Sequence, residues 1–264
     1  MKVNKRILAQ AVGGVSALAV VAIGCAAWYV YEPEIPKVQR PAKSSFDLAT
    51  VARGEQLATV GDCIVCHTAP VGAPFAGARA LPTPFGTLYS NNITSDEATG
   101  IGNWSEGAFK RAMKSGVARD GSHLYPALPY EHFTHVSDED LQALYAFLMT
   151  RQAVSQKAPE NELFPGLGSR PLLAGWKMLF LHQTNFQADK SKSEEWNRGK
   201  YLVDGLAHCG GCHTPRNLAG GEVTGHEFAG GVAEGWNAPP LDASNPSAAN
   251  WTEDSAAQLS PNGL

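Results

Sequence analysis

The residues of this chain that could carry chemistry are four cysteines and two histidines that recur in the same order. Residues 63–67 read Cys-Ile-Val-Cys-His, and residues 209–213 read Cys-Gly-Gly-Cys-His. On one helical turn, positions i, i+3 and i+4 share a face, so two thiols can form thioethers to one haem while the imidazole lies beneath its iron. We therefore predict two c-type haems. The attachment cysteines and the proximal iron ligands are Cys63, Cys66, Cys209 and Cys212, with His67 and His213.

Other chemistries use the same cysteine spacing. An isolated Cys-x-x-Cys pair also fits a redox dithiol or half of a zinc site. One zinc ion held by both pairs would give the histidines no reason to follow each second cysteine. The fifth cysteine, Cys25, lies in an apolar N-terminal stretch, so no disulfide framework is predicted. We predict no catalytic residue, because the sequence holds no nucleotide-binding glycine pattern and no ligand cluster beyond the two motifs.

The N-terminal stretch is uncharged over residues 7–31. As a helix it is long enough to cross a hydrocarbon core of about 30 Å. Basic residues precede it and acidic residues follow it, which places its N-terminus in the cytoplasm. The sequence therefore predicts a membrane anchor over residues 1–32, in a bacterial inner membrane with the bulk of the chain in the periplasm. A cleaved signal peptide is the alternative.

The first haem motif lies in a predicted domain over residues 45–155, after a proline-rich linker at residues 33–44. We expect a helix over roughly residues 48–60, then a Gly/Pro-rich loop that wraps a flat apolar ligand without regular structure. The carbonyl of Pro70 is predicted to orient His67. Later helices are expected from Ser105 to Gly116 and after Ser137, where Asp140 completes a capping-box pattern. The predicted elements are all helical.

This order of elements resembles the class I cytochrome c fold. We therefore expect an all-α protein with tandem class I cytochrome c domains behind an N-terminal transmembrane helix. In such domains, the loop before the last helix usually supplies a methionine as the sixth iron ligand. Leu128 occupies that position here and cannot bind iron. His132 is our first candidate for the distal ligand of the first haem, with His123, His135 and Met113 as alternatives.

A linker over residues 156–190 is expected to contain a docking helix. Five apolar residues fall on one helical face of it, namely Leu172, Leu173, Trp176, Leu179 and Phe180. This face would pack between the domains or against a partner subunit, or would be ordinary core. For any one of these residues taken alone, a position in the protein core is the more common case.

An internal repeat predicts a second cytochrome domain over residues 191–264. Residues 198–202 echo residues 53–57, and residues 228–230 echo residues 75–77. Residues 251–253 echo residues 104–106 at nearly the same distance from the haem motif. The chain stops before a counterpart of the distal loop and closing helix. We therefore expect the second domain to be incomplete at its C-terminus.

Several short runs are similar to the multihaem cytochrome c subunits of bacterial membrane-bound dehydrogenases. The runs are residues 83–86, 92–94, 100–104, 124–126, 201–203 and 208–217. The relatives serve alcohol, gluconate and molybdenum-dependent aldehyde or nicotinate dehydrogenases. The resemblance implies haem c as cofactor, with a third haem in the full-length protein. It also implies a molybdenum- or quinone-dependent catalytic subunit as electron donor, and ubiquinone or a terminal oxidase as acceptor.

Composition and charge separate the remaining function classes. The net charge of −4 argues against a nucleic-acid partner. A dihaem subunit of a terminal oxidase is the main rival to the dehydrogenase subunit. A dihaem peroxidase is a weaker rival, since it would need an iron with an open coordination position. We therefore expect an electron-transfer subunit rather than an enzyme.

Overall fold

A computed structural model describes residues 5–242, 244 and 245 of the chain. The first half holds six helices and a hairpin: α1 Lys5–Val30, α2 Leu48–Val60, α3 Cys63–Cys66, β1 Ala80–Thr83, β2 Gly86–Tyr89, α4 Glu106–Ser115, α5 Tyr130–Phe133 and α6 Asp138–Thr150. The second half holds β3 Glu162–Leu163, α7 Leu172–Phe180, α8 Glu194–Tyr201, α9 Gly210–His213, β4 Gly231–Ala233 and β5 Trp236–Ala238. A 3-10 turn at Lys43–Ser45 precedes α2, and a π-helical turn at Leu202–Leu206 follows α8.

Helices α2 and α6 form the centre of the first half. The predicted helix at residues 48–60 is confirmed, and Asp47 caps it by accepting a hydrogen bond from the backbone N–H of Thr50. Leu57 of α2 is buried in the same apolar cluster as residues of α6. A Cβ built on Gly54 would overlap the carbonyl oxygen of Ala143. Glycine therefore allows the two helix backbones to cross at contact distance.

The caps of α4 agree with the sequence. Ser105 accepts a hydrogen bond from the backbone N–H of Ala108, as an N-cap serine does. The helix ends at Gly116, whose φ of 59° lies in the left-handed region. The Tyr130 ring packs directly on this glycine. Both predicted ends of the helix are confirmed.

The cap of α6 is only half of the expected capping box. Ser137 does accept a hydrogen bond from the backbone N–H of Asp140. The Asp140 carboxylate does not return to the Ser137 backbone, because it accepts hydrogen bonds from Arg53 and from the Tyr201 hydroxyl. The Tyr201 hydroxyl also accepts the hydrogen bond of the Ser137 backbone N–H. A residue far along the chain therefore completes the cap.

Two small sheets make the all-α prediction wrong. Strands β1 and β2 pair antiparallel, and β3 adds to β2. The hairpin closes at Thr83, whose hydroxyl donates to the carbonyl of Gly86 at 2.7 Å. The loop after the first haem motif was expected to lack regular structure. It forms strands because backbone N–H and C=O groups without a helix need partners, and a hairpin supplies them.

A second hairpin, of β4 and β5, follows the second haem motif. Its two turn residues, Glu234 and Gly235, have φ values of 48° and 82°. Positive φ at both central residues is the pattern of the two-residue turn that matches the twist of paired strands. The second half therefore repeats the first in having a hairpin downstream of its motif.

The predicted transmembrane anchor is also wrong. Helix α1 forms at the N-terminus, but spanning a bilayer requires both length and a sustained apolar run. No helix in the described part of the chain meets both requirements. The inner-membrane location that we derived from such an anchor is corrected with it.

Helix α7 buries a face that coincides only in part with the one that its apolar residues suggest, since Leu173, Trp176 and Phe180 are half-buried. Ala174 and Lys177 are buried, whereas Leu172 and Leu179 are 62% and 63% exposed. The Lys177 ammonium donates to the carbonyls of Ser115 at 2.9 Å and Gly116 at 3.2 Å, at the C-terminus of α4. A cation is stabilised there by the helix dipole. The core interpretation is therefore wrong for Leu172 and Leu179.

The main apolar core draws on both halves of the chain. Tyr201 and Leu206 belong to the same buried cluster as Leu141 and Leu144 of α6. Leu206 is fully buried, although it precedes the second haem motif. The domain boundaries at residues 45–155 and 191–264 stay predictions. The echo at residues 251–253 lies outside the described residues.

Candidate haem-binding sites

The first motif forms one helical turn, as its spacing predicts. Asp62, with a φ of 53°, turns the chain into α3. The backbone N–H of His67 donates to the carbonyl of Cys63 at 3.0 Å. The ring Nδ1 lies 2.7 Å from the carbonyl oxygen of Asn91. A carbonyl can only accept, so Nδ1 carries the proton and the expected partner, Pro70, is replaced by Asn91.

The second motif has the same local geometry. The backbone N–H of His213 donates to the carbonyl of Cys209 at 3.0 Å. Its ring Nδ1 lies 2.7 Å from the carbonyl oxygen of Pro239. The two histidines are thus oriented by carbonyls that lie well downstream of each motif, at equal distances from the rings.

The surroundings of the two motifs share further hydrogen bonds. In the first copy these are Gly77 N–His67 O at 2.8 Å and Phe75 N–Thr68 Oγ1 at 3.1 Å. In the second copy they are Gly230 N–His213 O at 2.8 Å and Phe228 N–Thr214 Oγ1 at 3.1 Å. The two phenylalanines have φ values of 63° and 62°, in the left-handed region. This match in backbone geometry goes beyond the short echoes in the sequence.

Both histidines present the donor that haem iron requires. With the proton on Nδ1, the lone pair of each ring lies on Nε2. Among the described residues, neither Nε2 atom has a hydrogen-bond partner. Burial lowers the pKa of His67, which favours the neutral, metal-binding form. A hydrogen bond from Nδ1 to a carbonyl is the usual support of a metal-binding histidine. The residues present therefore fit a proximal haem ligand at both sites.

The thiols lack the lowered pKa that a redox dithiol needs. Burial raises the pKa of Cys63 to about 12 and raises the pKa of Cys66, Cys209 and Cys212 above the usual value. A redox dithiol reacts through a thiolate, which needs a lowered pKa. No group of three or more potential ligands in the described ranges is arranged to hold a metal ion. Attachment as thioethers removes the need to ionise these sulfurs.

The two motifs lie next to each other. A Cβ built on Gly61 would lie 3.1 Å from Leu206, so the residues just before the motifs are in contact. Burial and then the Glu234 carboxylate raise the pKa of Cys66, and the Cys212 thiol contributes in the same direction. Burial also raises the pKa of Cys212, and Glu234 adds to it. The carboxylates of Glu234 and Asp62 therefore both act on the two attachment sites.

His132 faces the second motif. Its Nδ1 lies 3.0 Å from the carbonyl oxygen of Asp204, and its Nε2 lies 2.8 Å from a carboxylate oxygen of Glu222. Burial lowers the pKa of His132, but the hydrogen bond and charge of Glu222 outweigh burial and raise it. Gly210, inside the second motif, packs on the ring. Both ring nitrogens are engaged in this arrangement, so His132 as a distal ligand stays a prediction.

The alternative distal ligands are dispersed. His123 bonds through Nε2 to the carbonyl of Val30 at 2.9 Å, and His135 bonds through Nδ1 to the Thr184 hydroxyl at 3.3 Å. Met113 is buried in the core, and Leu128 is packed against it. The structure does not bring these residues together.

The sequence did not predict Asn91 and Pro239 as the residues that orient the proximal histidines. Every residue has a backbone carbonyl, so this kind of partner leaves no signal in the sequence.

Comparison with known proteins agrees with these sites. The cytochrome c family profile matches residues 51–152, which include the first motif. A protein named "Diheme cytochrome c-type" from Cereibacter sphaeroides is 36% identical over 202 residues, covering 73% of this chain and 68% of that protein. The chain belongs to the cytochrome c family. Cytochromes c carry covalently attached haem c, which the donor set described above accommodates.

Further relatives of this cytochrome c are named as parts of dehydrogenases. A nicotinate dehydrogenase subunit of Pseudomonas putida is 51% identical over 225 residues, covering 85% of this chain and 19% of that protein. The cytochrome c subunit of gluconate 2-dehydrogenase from Pantoea cypripedii is 42% identical over 222 residues, covering 80% of this chain and 50% of that protein. The chain spans half or less of the length of these two relatives.

Proposed function

We propose that this cytochrome c carries two haems and serves as the electron-transfer subunit of a dehydrogenase complex. The first haem would be attached to Cys63 and Cys66 with His67 as proximal ligand. The second would be attached to Cys209 and Cys212, with His213 as proximal ligand. The observation that carries the proposal is the recurrence of one hydrogen-bond pattern around both motifs.

The protein's part is attachment and orientation. Each cysteine pair would hold one haem through two thioether bonds to its vinyl groups. Asn91 and Pro239 hold the imidazoles by Nδ1, which leaves each Nε2 lone pair for iron. Haem, when bound, supplies one-electron chemistry between the ferrous and ferric states.

The proposed electron donor is the catalytic subunit of a molybdenum- or quinone-dependent dehydrogenase. The names of the nicotinate and gluconate dehydrogenase relatives support this class. Ubiquinone or a terminal oxidase is the proposed acceptor. The chain itself would not be an enzyme, because relatives of this kind are named as cytochrome subunits beside a dehydrogenase.

Haem content and partner identity test the proposal in one preparation. A pyridine haemochrome assay and intact mass should find two c-type haems per chain, and the protein should co-purify with a dehydrogenase subunit. Adding that dehydrogenase's substrate should reduce the haems. Co-purification with a haem–copper subunit would instead favour the oxidase rival, and sustained turnover of hydrogen peroxide would favour a peroxidase. A bare polypeptide mass would overturn the proposal.

A further inference from the structure

An ion pair joins the loops that follow the two haem motifs. The guanidinium of Arg79 lies 3.1 Å from the carboxylate of Glu234. Arg79 directly precedes β1 in the first half, and Glu234 occupies the turn between β4 and β5 in the second half. The side chains are 30% and 41% exposed, so water only partly screens their charges. The pair therefore links the two halves close to both motifs.

Arg79 is fixed to the segment that orients the first histidine. Its backbone N–H donates to the Ser90 hydroxyl at 3.1 Å, and its carbonyl accepts from the Ser90 backbone N–H at 3.0 Å. Ser90 directly precedes Asn91, whose carbonyl holds His67 at 2.7 Å. The guanidinium is thus held at a defined position beside the first motif.

Glu234 is fixed to the second motif in a comparable way. The backbone N–H of Gly230 donates to the carbonyl of His213 at 2.8 Å, and Gly231 packs on the carbonyl of Cys212. The tight turn then places Glu234 three residues beyond Gly231. Its carboxylate is consequently anchored to the second motif while it reaches across to Arg79.

The two charges belong to different motifs. Arg79 lies two residues beyond Gly77, whose backbone N–H donates to the carbonyl of His67 at 2.8 Å. The positive charge therefore lies on the side of the first motif. Glu234 follows the segment that is bonded to His213, so the negative charge lies on the side of the second motif.

We propose that the Arg79–Glu234 pair sets the reduction potentials of the two haems relative to each other while it joins the two halves. This inference rests on the proposed function, which supplies both haems. A nearby positive charge stabilises the form that holds the extra electron and raises the potential, and a negative charge lowers it. Arg79 and Glu234 are positioning residues in this scheme, since neither needs to touch the iron.

Opposite shifts in potential are the test. Arg79→Gln should lower the midpoint potential of at least one haem, and Glu234→Gln should raise it, in redox titrations of the purified holoprotein followed by visible absorbance. We expect each variant to change the reduction equilibrium about threefold, or roughly 30 mV for a one-electron couple. Lys157→Gln is the matched control, because it breaks an exposed ion pair with Glu160. It should leave both potentials unchanged.

A charge-swapped variant separates electrostatics from a merely structural bridge. Arg79→Glu with Glu234→Arg keeps an ion pair but reverses the charge beside each motif, so we expect the potential of the first haem to fall and that of the second haem to rise. Shifts of the same sign in both single variants, or unchanged potentials in the swap, would overturn the inference. If a single variant loses haem, the swap decides alone. Fewer than two haems in the unmodified protein would instead refute the proposed function.

Discussion

The protonation of two imidazoles follows from their backbone partners. His67 and His213 each place Nδ1 at 2.7 Å from a carbonyl oxygen, which fixes the tautomer and frees Nε2. The cysteines and histidines were predictable from local spacing alone. The two carbonyls were not, because they lie 24 and 26 residues away from the rings and carry no side-chain signature. The residues that would bind haem are therefore predictable from the sequence, whereas the carbonyls that orient the two histidines are not.

Removing one cysteine pair tests the sites separately. Cys63→Ala with Cys66→Ala should leave one covalent haem per chain, and Cys209→Ala with Cys212→Ala should do the same, because each pair attaches its own haem. Intact mass and the haemochrome absorbance per protein measure the count. Cys25→Ala is the control, since Cys25 is exposed and lies outside both motifs. Loss of both haems from either double variant would contradict independent attachment.

At the scale of elements, the ends of the helices were predictable and the strands were not. Ser105 and Gly116 bound α4 as expected, because caps act on backbone groups within a few residues. Strand β3 adds to the hairpin of β1 and β2 from beyond three helices of the chain, so its pairing leaves no local signal in the sequence. The burial of Lys177 likewise depends on carbonyls at the end of α4. Such long-range partners override the apolar pattern that suggested a buried position for Leu172 and Leu179.

The crossing of α2 and α6 predicts a sensitive glycine. Gly54→Ala would place a methyl group on the Ala143 carbonyl, and we expect it to destabilise the protein by about 1–3 kcal/mol, as overpacking does. Gly199 occupies the matching position in the second copy, and nothing in the described structure lies within 4 Å of a Cβ there. Gly199→Ala should be neutral or stabilising by up to about 1 kcal/mol. Chemical unfolding of both variants makes the comparison, and equal losses would contradict the packing argument.

Lys177 predicts a pH dependence in the alkaline range. Burial lowers the pKa of Lys177 from 10.5 to about 8 in the folded protein. Between these values the unfolded chain binds more protons than the folded one, so stability should rise with pH through that window and fall as pH drops towards 8. We expect a gain of about 1–2 kcal/mol between about pH 8 and 10 in urea unfolding. Lys177→Met should flatten this slope.

A surface lysine provides the comparison for that experiment. Lys157 has a side chain that is 82% exposed, so Lys157→Met should keep the slope of the unmodified protein. If Lys177→Met retains the full alkaline gain, the slope arises from other groups and the argument from burial fails.

At the scale of the whole molecule, the repeated arginines meet on one acid. Arg53 and Arg198 begin the matching echoes of the two copies, and both approach the carboxylate of Asp140, which is 1% exposed. The Tyr201 hydroxyl donates to the same carboxylate at 2.6 Å. The repeat was visible in the sequence, but the sharing of one acid by both arginines was not. Only the fold brings residues from the two copies to a common partner.

The shared acid predicts that both halves unfold together. Tyr201→Phe removes a buried hydrogen bond and leaves the Ser137 N–H without its partner, so we expect a loss of about 1–3 kcal/mol. Scanning calorimetry should show one transition that moves to lower temperature. Tyr145→Phe is the control, because it also removes a tyrosine hydrogen bond but one that stays within the first half: the Tyr145 hydroxyl donates to the Trp104 carbonyl. Two separate transitions, with Tyr201→Phe moving just one, would contradict this prediction.

Tyr201 and Leu206 come from the second half of the chain but are buried with residues of the first half. This shared core also restricts how the genes of such proteins can be rearranged. A crossover within residues 156–190 would give one half a new neighbour with the wrong surface, and it would part Asp140 from its tyrosine. Exchange of one half alone between paralogues should therefore be poorly tolerated, whereas transfer of both halves together should succeed. The two repeats should then be inherited together rather than one at a time.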